Sequence, residues 1–233
     1  MPLKSKQPRI EPLSPPYDEE AGAALELLGH APIQLFRVWA RRPELARSIA
    51  GWGSYYFSRR SALTLRQREL VIDRTTALCG ADYEWAVHIA GFAEKAGLDA
   101  AQLGSLATGK PADDCWDATD RAVLEAVDEL HATFDLSDET WANLAAVADE
   151  DAALELVLIC GWYHAISFAV RALRLPPEPG TESIAALVGT EKEGAGPDKR
   201  AHSPENSATR QRENTATAAS HTERVDVRSR IQC

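Results

Sequence analysis

The sequence predicts an all-α protein, and three observations carry that prediction. From Asp18 to about Leu173, apolar residues recur at helical spacing, and no convincing run of alternation by twos interrupts them. Residues that end or restart helices divide the stretch: Pro32, the Arg42–Pro43 step, Gly80, Gly97 with Asp99, Gly109 to Pro111, and Asp135 to Ser137. Of 233 residues, 45% are hydrophobic and six are tryptophan, enough for one large helical core, with or without a tail.

Taken in order, residues 1–17 hold proline and charge (QPRIEPLSPPY) and read as an extended arm. A helical domain is expected over 18–189. Within it, Thr64 and Gln67 form a capping box for a helix running to about Cys79. A second helix follows over Ala81–Lys95. Ser137 opens another, with Asp138 and Glu139 placed to complement its dipole. The longest near-continuous apolar run, LVLICGWYHAISFAV (Leu156–Val170), falls short of the roughly 18–20 residues that span a bilayer and contains a histidine. It reads as a buried core helix, so no membrane partner is expected. Residues 190–233 are poor in large apolar side chains and cannot offset their ordering entropy by burial, which predicts a disordered tail.

A formal charge of −10 excludes a basic face of the kind nucleic acids require. The start MPLKSKQPRI is not followed by a hydrophobic run, so no secretory leader is expected. Cys79, Cys115, Cys160 and Cys233 are widely spaced and form no C-x-x-C pair. Reduced thiols in a cytoplasmic protein fit that spacing better than a disulfide framework.

The chemistry concentrates in two consecutive helices. On the first, Leu65, Ile72, Thr76 and Cys79 share an apolar stripe, with Arg68 inside the sector and Glu69 on its edge. Charges there must pair or snorkel, because an unpaired buried charge is costly. On the second, Ala81, Trp85, Ile89 and Phe92 form the stripe, flanked by Glu84 and His88 four residues apart. A carboxylate one turn before an imidazole can orient it and raise its basicity, which suits acid/base catalysis. The same spacing also fits a surface pair worth a few tenths of a kcal/mol. A metal centre would need Glu69 to join Glu84 and His88, and no second local histidine supports one. Cys79 reads as a packed thiol, and His131 and His164 as core or boundary residues.

The segment RELVIDRTTALCGADYEWAVHIAGFAEKAG (Arg68–Gly97) resembles the signature helix pair of the carboxymuconolactone decarboxylase family, which includes alkylhydroperoxidase D-like proteins. Glu69 falls on the family's glutamate, His88 on its histidine and Gly97 on its terminal glycine. The positions of its C-x-x-C cysteines fall on Ala81 and Glu84. The resemblance extends over about 30–175. It implies an antiparallel helical bundle, commonly a trimeric or hexameric homo-oligomer with active sites near subunit contacts.

Lacking both cysteines, the chain resembles the family's decarboxylases, which act without a cofactor or metal. The implied activity is an acid/base lyase or isomerase acting on a small carboxylated lactone or related compound. His88, Glu84 and Glu69 would be catalytic; Arg68 would hold a carboxylate, and Tyr83 and Trp85 would line the pocket. Two alternatives stand beside it: a peroxide-linked oxidoreductase using Cys79, and a non-catalytic oligomeric binding module.

Overall fold

The computed structural model describes residues 7–29 and 32–194. Ten helices fill them: α1 (Glu19–Leu28), α2 (Gln34–Trp39), α3 (Pro43–Tyr56), α4 (Leu65–Leu78), α5 (Asp82–Phe92), α6 (Ala100–Thr108), α7 (Ala118–Thr133), α8 (Asp138–Ala145), α9 (Glu150–Leu173) and α10 (Ile184–Gly194). No strand occurs among the described residues, so the fold is all-α, as the periodicity predicts. The arm holds no helix over residues 7–17, and its Arg9 backbone N–H bonds the Leu173 carbonyl at 2.9 Å. Helix α10 runs to Gly194, past the start of the expected tail; the remainder of that tail lies outside the described residues.

Side-chain caps set most helix starts. Asp18, Thr64, Asp99, Asp117, Ser137 and Asp149 each accept a backbone N–H from the first turn that follows. The Thr64–Gln67 box forms reciprocally: Gln67 N–H reaches Thr64 Oγ1 at 3.2 Å, and Gln67 Oε1 accepts Thr64 N–H at 3.0 Å.

Helix α4 is the centre of the bundle. It packs against α5, α6, α7 and α9, and every residue from Arg68 to Thr76 is buried. That burial on all sides explains why α4 lacks a clean polar face. Its end is set by Gly80 at φ 61°, where Ala81 N–H bonds back to the Thr76 carbonyl at 2.8 Å. This left-handed turn costs glycine little and folds α5 directly back onto α4. Gly97, at φ 68°, ends the following turn in the same manner, with Leu98 N–H bonded to Ala93 O.

Helix α9 is longer and more apolar than the run first suggested. At 24 residues and a mean hydropathy of 1.6 it could span a bilayer by length and composition, but half of that apolar window is buried within the bundle. Helices α1–α3 make a separate layer, held by Ala24, Leu28 and Ala46 with Phe36, Trp39 and Ile49. Between this layer and the α5–α9 face lies a cavity.

Candidate active site

The cavity measures about 80 Å³ and is walled mainly by aliphatic and aromatic side chains, among them Leu35, Phe36, Trp39, Phe57, Phe92 and Trp162. Its polar wall is Glu84 and His88 from α5 and Tyr163 from α9, with Ser54 from α3. The Gly80 turn places α5 so that His88 also faces Glu69 on α4.

His88 is held on both ring nitrogens. Nδ1 lies 2.9 Å from Glu69 Oε2, and Nε2 lies 3.0 Å from the Tyr163 hydroxyl. Glu84 Oε1 sits 3.6 Å from Nε2, close enough for charge attraction but beyond a hydrogen bond. Glu69 therefore orients the ring, and Glu84, the i−4 carboxylate expected to do so, faces the cavity side of it instead. The far oxygen of Glu69 accepts Arg68 Nε–H at 2.9 Å.

Burial by itself pushes the His88 imidazole down. The charge and hydrogen bond of Glu69, and then the attraction of nearby Glu84, outweigh burial and raise it to about 10. At neutral pH the ring is therefore an imidazolium: Nδ1–H donates to Glu69 and Nε2–H donates to Tyr163. Tyr163 is itself raised well above the usual phenol range, first by burial and then by the charges of Glu84 and Glu69.

One turn beyond Glu69, Asp73 is buried with neither carboxyl oxygen hydrogen-bonded among the described residues. Burial and the adjacent Glu69 charge push its carboxyl well above the usual range. Glu69, Asp73 and His88 bring donor atoms within 4.8 Å of one another. Glu84 Oε2, buried on the cavity wall, also has no hydrogen-bond partner among the described residues. It is a polar atom positioned for a bound molecule.

The other expected site residues lie elsewhere. The Arg68 guanidinium is buried, stacked 4.3 Å over Phe57, and bonded to Glu69 and to the Tyr56 carbonyl. It does not line the cavity, because its charge is already used inside the bundle. The Tyr83 hydroxyl is bonded to Glu178 at 2.6 Å and to Leu35 N–H at 3.1 Å, tying α5 to α2 and the segment after α9. Trp85 is fully buried and does not line the cavity, and its indole N–H has no hydrogen-bond partner among the described residues. Cys79 caps α4 outside the cavity, and burial raises its thiol.

Sequence reasoning missed Tyr163 and Asp73. Asp73 carried a usable signal, since it stands four residues after Glu69 in a helix otherwise reading as core. Tyr163 carried none beyond its place in GWYH, because only the packing of α9 on α5 brings it to His88.

In this helical bundle a glutamate on one helix and a histidine on the next meet beneath an apolar cavity. Residues 43–129 match the model of the carboxymuconolactone decarboxylase family, and in this chain that stretch lacks the C-x-x-C pair. Among solved structures, a variant of the debrominase Bmp8 in complex with 2,3,4-tribromopyrrole is similar at 18% identity and a TM-score of 0.61, covering 81% of this chain and 98% of that one. An uncharacterized peroxidase-related protein from Silicibacter sp. TM1040 is similar at 16% identity and a TM-score of 0.63, covering 77% of this chain and 96% of its own. Ligand-free Bmp8 gives 19% identity and a TM-score of 0.57, over 79% and 97% of the two chains. These likenesses concern the fold. A search of curated proteins finds no sequence match.

Proposed function

We propose that the protein is a cofactor-free acid/base enzyme, a lyase or isomerase, that protonates a small, unsaturated, uncharged molecule. The observation that carries this reading is the His88 imidazolium, clamped between Glu69 and Tyr163 on the wall of an apolar cavity.

Charge decides between neutral and carboxylated substrates. The positive His88 and Arg68 are balanced by Glu69 and Glu84, so the polar wall offers no net positive charge. Arg68, expected to clamp a carboxylate, is turned inward, and the free oxygen on the wall belongs to Glu84, which would repel an anion. The carboxylated lactone implied by the resemblance is therefore less well served than a neutral lactone, enone or heterocycle. The cavity is about half the size, roughly 150 Å³, of one known to take benzene. A ring therefore enters by displacing lining side chains, of which Leu27, 58% exposed, is the freest.

In the proposed step the Tyr163 hydroxyl gives its proton to one carbon of the substrate while accepting the Nε2 proton of His88. Glu69 holds Nδ1–H throughout, and Glu84 takes the proton released when a C–H bond of the substrate breaks. Such positioned proton transfers typically contribute 10²–10⁴-fold.

A homo-oligomer is part of the proposal. On α9 the residues Leu154, Leu158, Gly161, Ala165 and Phe168 fall on one exposed face with no charge among them. Leu154 and Phe168 are 58% and 68% exposed, and the small residues between them would let a helix of a second copy approach closely.

A screen of matched neutral and carboxylated lactones, enones and pyrroles against wild type and His88→Ala tests the reading. Turnover of neutral members by wild type alone is expected. Preference for the carboxylated members, or equal activity of His88→Ala, overturns it.

A further inference from the structure

A second cluster of reactive side chains lies apart from the His88 cavity and shares no residue with it. Cys79 at the end of α4, His131 in the last turn of α7 and His164 in the middle of α9 bring one donor atom each within 4.8 Å of one another. His131 Nδ1 lies 2.9 Å from His164 Nε2 and 3.9 Å from Cys79 Sγ. The three residues open onto a separate cleft of about 430 Å³, which Phe134, Phe168 and Arg171 also line.

We propose that Cys79, His131 and His164 bind a zinc-type divalent cation through Sγ, Nδ1 and Nε2, with the fourth coordination position open to the cleft.

Four observations support this site. First, the donor set of one thiolate and two imidazoles suits a borderline-soft, tetrahedral ion. Second, the spacing is close to what such an ion imposes. Zinc bonds of about 2.0–2.1 Å to nitrogen and about 2.3 Å to sulfur give tetrahedral N···N and N···S separations of roughly 3.4 and 3.6 Å. The 2.9 and 3.9 Å found here differ by about half an ångström or less, within reach of small side-chain rotations.

Third, the ligand tautomer is already selected on one histidine. His164 Nδ1–H donates to the Cys160 carbonyl one turn earlier, at 2.8 Å, which leaves the Nε2 lone pair facing the cluster. A ligating histidine held by a backbone carbonyl through its other nitrogen is the common outer arrangement of zinc sites. Fourth, Ser167 lines the same cleft, is fully buried and has an Oγ with no hydrogen-bond partner among the described residues. An oxygen in that position can bond a water or anion in the open fourth place.

Burial first, and then the neighbouring His164, lower His131, against a raising effect from Asp128. Burial raises the Cys79 thiol, and Arg171 donates to the Cys79 carbonyl. Metal entry therefore expels the thiol proton to solvent and moves the His131 ring proton from Nδ1 to Nε2, so affinity rises with pH. The ion would tie together α4, α7 and α9, three helices that meet in the bundle core.

The test uses the full-length protein, stripped with chelator and titrated with Co²⁺ as a spectroscopic probe, then with Zn²⁺. One equivalent of Co²⁺ is expected to give a thiolate-to-cobalt charge-transfer band and tetrahedral d–d bands, both abolished by Zn²⁺. Cys79→Ser is expected to lose the charge-transfer band, and His131→Ala and His164→Ala to bind at least tenfold more weakly. Cys233→Ser and His88→Ala are expected to keep the full signal, which separates the site from the tail thiol and from the catalytic proposal. Circular dichroism of each metal-free variant establishes that the loss is not one of folding; if one misfolds, His131→Gln takes its place. Absence of a charge-transfer band in wild type, or its persistence in Cys79→Ser, overturns the site.

Discussion

Replacing Glu69 with glutamine removes one charge from the middle of the site and leaves its shape nearly intact. The native carboxylate serves two donors at once, Arg68 Nε–H and His88 Nδ1–H, each at 2.9 Å. A glutamine oxygen can accept one of them, and its amide then meets the other N–H head-on. The rise of His88 from 6.5 to about 10 corresponds to roughly 5 kcal/mol of preference for the imidazolium. Glu69 is the largest contributor to that rise, and burial opposes it. Without the charge, His88 is expected to fall by about 2 pH units or more.

Stability follows the same linkage. Because the folded value lies above the unfolded one, the stabilisation from His88 is complete below about pH 6.5 and disappears as pH rises through about 10. Wild type should therefore lose stability progressively across that window, and Glu69→Gln should lose most of that dependence. Removing the charge from this buried ion pair should cost about 3 kcal/mol near neutral pH. NMR titration of the His88 ring, with denaturant unfolding at several pH values, measures both effects. A His88 ring in Glu69→Gln that still titrates near 10 refutes the reasoning, as does a wild-type ring that titrates near 6.5.

Tyr163→Phe removes the hydroxyl at 3.0 Å from His88 Nε2 and is expected to lower turnover about 10²-fold with the melting temperature little changed, as steady-state kinetics and calorimetry would show. Gly109→Ala places a Cβ 2.1 Å from Asp113 Oδ2 and 2.8 Å from the Ser105 Cα, so a loss of about 2 kcal/mol is expected in denaturant unfolding. Gly80→Ala forces an ordinary residue to φ 61° at the turn that sets α5 on α4, with an expected cost of about 1 kcal/mol. Leu158→Glu, in the exposed apolar face of α9, is expected to dissociate the proposed oligomer in light scattering while leaving the circular dichroism spectrum unchanged.

The fold was largely legible because its signals are local. Helical period, the Thr64 box, the Ser137 cap and the glycines at 80 and 97 each act within a few residues, and each appears in the structure where it was read. The site was legible only along α4 and α5. Glu69 and His88 meet because the Gly80 turn reverses the chain, and that turn is short enough to read. The role expected of Glu84 was displaced because i, i+4 spacing shows which residues are neighbours, not which ring nitrogen each one faces. Arg68 was misjudged for a related reason: a cation in an apolar sector needs a partner, and sequence does not show that Glu69 and the Tyr56 carbonyl already supply one. Tyr163, His131 and His164 depend on how α7 and α9 pack against α4 and α5, across separations of 52 residues or more, where no periodic pattern carries information.

The central claim is that His88, through Tyr163, delivers a solvent-derived proton to a neutral substrate. Turnover of the best substrate from the neutral panel in D₂O, with the product read by mass spectrometry and NMR, measures that delivery directly. One deuterium per product molecule at a single carbon, with turnover lost in His88→Ala, is the result this account predicts. Product free of solvent deuterium, or the same deuterated product formed as fast by His88→Ala, would contradict it.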